Sequence, residues 1–286
     1  MSISRRNFIK GSVVAVAAIA AGSLTACGGS GNTAANNAAS TASSVEKTDI
    51  KIGIRSDMVN QYGAVEDELK AAGFNVESVV FDDSVQPDVA LAEKSIDCNW
   101  YQHEPYMKSY NEKNGTDFVM IEPKTFYPLF AMYSTKHTSL EDIPDGATFG
   151  LCNDATNQGR GLNLLIAKGL IKQPQGVSSP AIIDITDDLN PRGFKFIEAE
   201  MSVLPQSIDD VDGILLAAGH MVNAGKSAEG YLAQSEDNET YAVGFAVRAE
   251  DKDAEWIKKI ALTVQCDDLA TYFKEEKKGT QIPTWL

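Results

Sequence analysis

The feature that most limits the fold is a steady exchange between two hydrophobic periods along residues 49–286. Ile50, Ile52 and Ile54 recur at every second position, as in a strand, whereas Val65 and Leu69 mark one face of a helix that stops at Gly73. The exchange continues with a strand over Asn75–Phe81, a short helix over Pro87–Glu93, a strand over Ile96–Asn99, a helix over Glu104–Asn114 and a strand over Phe118–Ile121. A longer apolar and aromatic strand is expected at Tyr127–Ser134. The rhythm then restarts with a strand at Ala147–Leu151 and a helix at Gln158–Leu170, followed by strands at Ile182–Ile185, Phe194–Glu198, Gly213–Leu216 and Tyr241–Arg248. Helices over Ala254–Gln265 and Asp268–Lys277 close the chain. Alternating strands and helices with short connections predict an α/β architecture of open sheets covered by helices on both faces. The length suits two lobes, 49–135 with 241–286 and 136–240, joined by a hinge near Ser134–His137 and Glu239–Tyr241. A ligand in such a molecule lies in the cleft between lobes, beyond the carboxyl ends of the strands.

The first 26 residues stand outside this pattern. Ser4-Arg5-Arg6-Asn7-Phe8-Ile9-Lys10 matches the twin-arginine export pattern, with Sec-type export as the alternative, and the apolar run Val13–Ala21 is too short for a bilayer that needs ~20 apolar residues. Leu24-Thr25-Ala26-Cys27 reads as a lipobox, so Cys27 is the expected lipidation site and the first residue of the mature chain. Two acyl chains give stable anchoring where one is marginal. Residues 27–48 hold the lipidated Cys27 and a tether, and Gly28–Ser44, almost entirely Gly, Ser, Asn, Thr and Ala, has nothing large to bury and reaches ~20 to 25 Å as a coil. The expected location is therefore the extracytoplasmic face of a membrane.

Charge and side-chain inventory remove several classes of function. Taking Arg5, Arg6 and Lys10 from the 25 basic residues leaves 22 against 40 acidic ones, a net charge of −18, so nucleic acid is not an expected partner. After Cys27, the cysteines Cys98, Cys152 and Cys266 are odd in number and lack CxxC spacing, which predicts buried thiols rather than a disulfide framework. Three scattered histidines, His103, His137 and His220, predict no transition-metal site, and no cofactor is expected. Gly225-Lys226-Ser227 imitates the end of a phosphate loop, but His220 stands where the first Gly is required. No GxSxG elbow or zinc-protease motif is present, and a nucleophilic Cys98 or Cys152 with His103 has no supporting context, so the chain is not expected to be an enzyme.

Two clusters could bind a solute. Asn153-Asp154-Ala155-Thr156-Asn157-Gln158-Gly159-Arg160, between a strand and a helix, joins cap-type side chains, free backbone N–H groups and a guanidinium, which suits a carboxylate. The plainer alternative is a turn, a cap and a solvated Arg160. Asn99 to Tyr106, with Phe126 and Tyr127, offers aromatic walls for an apolar side chain from Trp100, Tyr101, Tyr106 and Tyr127, with His103 as a polar handle. The alternative there is ordinary core aromatics and a satisfied histidine.

The segments Ile96–Tyr106, Tyr127–Ser134, Asn153–Arg160 and Leu204–Asp212 resemble the NlpA family of lipoproteins, the methionine-binding components of methionine ABC importers. The family pattern runs D-A-N-x-F-Q-H-x-P-Y, Y-P-x-x-x-Y-S, P-N-D-P-T-N-x-G-R and L-P-x-S-x-D-D. The resemblance implies a two-lobed, type II periplasmic-binding-protein fold and the partners of such an importer: a small solute, an ABC permease and its ATPase, and the bilayer that holds the lipid. It makes Arg160 and Asn157 the carboxylate anchors and Tyr101, His103 and Tyr106 the lining of the side-chain pocket. Two departures bear on the solute. The family Asn of V-I-N-x-x-Y-A is Ala217 here, and that of Y-V-N is Val243; neither side chain forms a hydrogen bond. Ala155 for Pro and Ser84 for Tyr depart similarly. The resemblance thus implies methionine or a related carboxylate first, and a carboxylate without a conventional amino group second. The competing class is a surface adhesin or structural lipoprotein, which would carry repeats or a large apolar face.

Overall fold

In a computed structural model, residues Lys47–Leu286 are described; the signal segment, the lipobox with Cys27 and nearly all of the tether lie outside them. The elements run, in chain order, β1 (Asp49–Arg55), α1 (Val59–Gly63), α2 (Glu66–Ala71), β2 (Asn75–Phe81), α3 (Gln86–Ala92), β3 (Cys98–His103), α4 (Glu104–Asn114), β4 (Val119–Met120), β5 (Phe126–Pro128) and β6 (Phe130–Tyr133). The second half holds β7 (Thr148–Cys152), α5 (Ala155–Ala167), β8 (Lys195–Ala199), β9 (Gly213–Ala217), α6 (Gly219–Asn223), β10 (Ala233–Gln234), β11 (Val243–Val247), α7 (Glu255–Thr263), α8 (Asp267–Glu275) and β12 (Gln281–Pro283).

Two sheets organise these elements. The first has the order β12-β5-β11-β3-β1-β2, with β4 added on β11, and the second the order β10-β6-β9-β7-β8. Each is built on three parallel strands, β3-β1-β2 and β9-β7-β8, with an antiparallel strand next to them: β11 in the first sheet and β6 in the second. Those two antiparallel strands are where the chain arrives from the other sheet. Each sheet has its own apolar core. Ile52, Ile54, Trp100, Phe245 and Ile257 belong to the first, and Phe130, Phe149, Leu151, Leu165 and Leu215 to the second.

The element borders follow local chemistry. Gly73 (φ +93°) and Gly115 (φ +67°) take the left-handed conformation after α2 and α4, which a Cβ would disfavour. His103 caps α4, its Nδ1 accepting the Tyr106 N–H at 3.2 Å, and Pro105 sits in the first turn, where a missing N–H costs nothing. Asp154 caps α5 by accepting from Asn157 N at 2.9 Å.

Three sequence expectations need correction. The apolar stretch from Tyr127 is two strands, because β5 pairs with β11 and β12 while β6 pairs with β9. The chain changes sheets at Leu129, whose N–H donates to Thr280 O on one side and whose carbonyl accepts from Ala218 N on the other. Phe130–Tyr133 therefore belongs to the second sheet and its core. Ile182–Asp184 is a single 3-10 turn rather than a strand: Asp184 accepts from Ala181 N, Gln158 Oε1 accepts from Ile182 N, and Ile183 is 87% exposed. The strand expected to end at Asn99 continues to His103 and draws the aromatic cluster into the sheet.

Candidate functional site

Strands β1, β2 and β3 of the first sheet and β7, β8 and β9 of the second point their carboxyl ends at one cleft. Arg55 ends β1, Ser84 follows β2, and His103 ends β3; across from them Asp154 follows β7, Glu200 follows β8 and Ala217 ends β9. The walls thus come from residues that the parallel strand order brings together, as open α/β sheets require.

Arg160 is the most deeply held charge in the cleft wall, 1% exposed. Its Nε donates to Asp237 Oδ1 and its Nη2 to Asn238 Oδ1, both at 3.0 Å. The guanidinium plane lies between the rings of Phe130 (4.6 Å) and Tyr241 (4.2 Å). Among the described residues its remaining nitrogen, Nη1, has no protein hydrogen bond. Burial lowers the Arg160 pKa, and the Asp237 carboxylate counters that, so the group stays a cation.

Beside it, Asn157 gives both ends of its amide to the protein. Nδ2 donates to the Asp154 carboxylate at 3.0 and 3.1 Å, and Oδ1 stands 3.2 Å from His103 Nε2 across the cleft. Because His103 Nδ1 accepts from Tyr106 N, the neutral ring places its proton on Nε2 and donates it to Asn157. Burial pushes the His103 pKa down to about 4, which keeps the ring neutral at physiological pH. Tyr106 and Tyr241 pack edge-on against it.

A buried carboxyl orders the first-lobe wall. Asp88, 0% exposed, accepts from Asn99 Nδ2 (2.8 Å), Gln102 Nε2 (2.6 Å) and Tyr101 OH (3.0 Å). Burial raises its pKa to about 6, against the opposing pull of those hydrogen bonds. The hydroxyls of Tyr101 and Tyr106 both stand 2.8 Å from the Ser84 carbonyl. The lobes also touch across the mouth: Ser84 Oγ donates to Glu200 Oε1 at 2.9 Å, Arg55 bonds Ser84 Oγ and reaches Glu200 at 3.4 Å, and Asn223 Nδ2 donates to Asp57 Oδ2 at 3.0 Å. Among the described residues no His, Cys, Asp and Glu group is arranged to hold a metal ion, and no helix is long and apolar enough to cross a membrane.

A family model described as NlpA lipoprotein matches residues 50–285, nearly the whole of the two-lobed body. The chain belongs to the NlpA lipoprotein family. A twin-arginine translocation signal model matches residues 2–22. The D-methionine-binding lipoprotein MetQ of Escherichia coli (strain K12) is 34% identical over 245 residues, covering 82% of this chain and 88% of that protein. Among solved structures, a nutrient binding protein from Burkholderia cenocepacia bound to methionine superposes with a TM-score of 0.77 at 30% identity, over 82% of this chain and 99% of its own. The substrate binding protein of a methionine transporter from Streptococcus pneumoniae gives a TM-score of 0.74 at 27% identity, over 84% and 96%. The fold is the two-lobed substrate-binding architecture of these proteins, as the resemblance implied.

The NlpA blocks converge only in part. Arg160, Asn157, His103, Tyr101 and Tyr106 all line the cleft. Trp100 does not: its ring stacks on Phe245 at 5.1 Å and its Nε1 donates to Thr125 Oγ1, within the first-lobe core, because β3 runs past it. Tyr127 is also absent from the wall. Neighbouring side chains of a strand face opposite ways, so Phe126 and Pro128 face the cleft while Tyr127 lines a shallow depression with Glu122, Pro123 and Lys124. Sequence reasoning missed Arg55 and Glu200, although one ends and the other directly follows a parallel strand, the position the strand-end rule singles out. Nothing local marked Asp237 and Asn238, whose part depends on a contact with Arg160 some 77 residues away.

Proposed function

We propose that this chain is the solute-binding lipoprotein of an ABC importer, anchored through Cys27, and that its cleft captures methionine or a closely related carboxylate-bearing amino acid for delivery to a permease driven by its ATPase. The observation that carries the reading is the buried, ring-stacked Arg160 on the wall of a cleft between two sheets, held by Asp237 and Asn238 with Nη1 left over for a ligand. A guanidinium oriented before the solute arrives loses little freedom on binding it, which favours affinity. The relatives' names support methionine as the first candidate.

In this reading Arg160 meets the carboxylate and Asn157 keeps His103 in one tautomer and one orientation. Tyr101, Tyr106 and Phe126 give the apolar side chain its walls. Leu129 and the segment after Gln234 act as the hinge, and the Arg55–Ser84–Glu200 contact stabilises the closed form that docks on the permease. Mass loss of residues 1–26 with a gain of acyl mass on Cys27 tests the anchor.

A second reading follows from Ala217 and Val243, which line the cleft without hydrogen-bonding side chains: the solute is a carboxylate lacking a conventional amino group. Calorimetry on the mature chain, titrated with methionine and with its desamino analogue, separates the two. Heat with methionine supports the first reading; heat with the desamino acid alone supports the second. Silence from both, with no small molecule found by mass spectrometry of the purified protein, rejects solute capture and favours an adhesin or structural lipoprotein.

A further inference from the structure

The cleft wall at the ends of β9 and β11 and along β5 is apolar, made by Ala217, Gly219, Val243, Phe126 and Pro128. The carboxylates that line the rest of the cleft are already engaged. Asp154 holds the start of α5 and the Asn157 amide; Glu200 holds Ser84 and Arg55; Asp57 holds Asn223 and Arg55. A solute with a positively charged amino group would therefore meet acceptors that already have partners, and an amino group left unpaired in a closed cleft is strongly disfavoured.

One amide on this wall is free. Gln281 opens β12 opposite Pro128, and its side chain faces the cleft while its neighbour Ile282 faces away, 44% exposed. Among the described residues the Gln281 amide has no protein hydrogen bond, and its Oε1 is buried without a partner. The adjoining Thr280 hydroxyl is engaged with Lys277 O. The amide lies against the turn that follows Ala217: a Cβ built on Gly219 would stand 3.8 Å from Gln281 Nε2. The backbone fixes that approach, since Leu129 N donates to Thr280 O and Leu129 O accepts from Ala218 N, tying β12, the sheet crossing and the end of β9 together.

We propose that Gln281 is a specificity-determining residue of the cleft, its carbonyl oxygen receiving the amino group of the solute at the wall where Ala217 and Val243 offer no hydrogen bond. This inference rests on the methionine reading above. Rotation of the amide about its terminal bond exchanges Oε1 and Nε2, so the side chain can present its acceptor to an ammonium without moving the strand. A buried amide with no protein partner is costly in the empty protein and gains one when an amino acid binds.

The test is calorimetric titration of the wild-type mature chain, Gln281→Ala and Gln281→Glu with L-methionine and with desamino-methionine. Gln281→Ala removes no protein hydrogen bond, so its unfolding midpoint should match the wild type. Its affinity for methionine should fall about tenfold to a hundredfold, the range for a hydrogen bond to a charged group, while desamino-methionine changes by less than about threefold. Gln281→Glu should hold methionine at least as tightly as wild type and bind the desamino acid more weakly. Equal losses for both ligands in Gln281→Ala, or unchanged methionine affinity, overturn the assignment and leave the function standing. A wild-type protein that does not bind methionine overturns the methionine reading itself, and the role of Gln281 with it.

Discussion

Replacing Arg160 tests the centre of the proposed site. The guanidinium is held on two nitrogens by Asp237 and Asn238, so a solute carboxylate gains one further charge-assisted bond at Nη1 rather than a full fork. Such a bond contributes about 1.5 to 3 kcal/mol, which at about 1.4 kcal/mol per decade is a tenfold to roughly 150-fold loss of affinity on removal. Removal also leaves the Asp237 carboxylate, 35% exposed, without its cation, and its repulsion of the incoming carboxylate acts in the same direction. Arg160→Ala would also open a void between Phe130 and Tyr241, so Arg160→Met, which keeps most of the volume, is the cleaner variant. Calorimetry with methionine should give at least a tenfold weaker Kd for Arg160→Met, with Arg160→Lys between it and wild type, because an ammonium keeps the charge but not the planar stack. An Arg160→Met protein that unfolds cooperatively and binds within threefold of wild type would refute the reasoning and move the carboxylate elsewhere in the cleft.

Three further outcomes follow. Asp237→Asn frees the guanidinium from its competing carboxylate, so methionine should bind a few-fold more tightly; weaker binding in calorimetry would mean Asp237 serves only to orient Arg160. The buried Asp88 carboxyl, held up to about 6 against 3.8 when exposed, binds a proton in the folded chain that the unfolded chain has released, so its contribution to stability falls by ~3 kcal/mol as pH rises from 4 to 7. His103 and His220, each pushed by burial down to about 4, act in the opposite sense in the same window, but equally in wild type and Asp88→Asn. The stability difference between those two proteins, from urea unfolding at each pH, should therefore shift toward the variant as pH rises; a constant difference rejects the assignment. Gly159→Ala drives a Cβ into Ser179 Oγ and places it 3.2 Å from the Pro180 carbonyl, an overpacking cost of about 1 to 3 kcal/mol against a helix-propensity gain of about 1. A lower urea midpoint with unchanged slope is expected, and a raised midpoint would mean that the Ser179–Pro180 segment yields freely.

Local pattern fixed the elements because their signals are local. The period of two in Ile50, Ile52 and Ile54, the Gly73 stop, the Pro105 start and the Asp154 cap each act within a few residues, and the elements they mark stand within a few residues of their expected places. Arg160, Asn157 and His103 were also legible, since His103 ends β3 and the other two lie in the first two turns of the helix that follows β7, strands whose parallel order the alternation predicts. What the sequence could not give was partner and side. Phe130–Tyr133 looks like a continuation of the strand before it, and only pairing with β9 puts it in the second sheet. Trp100 and Tyr127 carry the composition of a binding wall, yet the length of β3 and the alternation of β5 turn them away from the cleft.

The sequence by itself determined the export signal, the alternation of strands and helices, and a guanidinium nearly two helical turns past a cap. Tertiary structure alone decided that Asp237 and Asn238 grip that guanidinium, that Asp88 gathers Asn99, Tyr101 and Gln102, and that the Gln281 amide reaches the turn after Ala217. The division has one physical cause. Periodicity and capping are written in neighbours along the chain, whereas a buried polar group finds its partner through the sheet order, which joins residues far apart in sequence.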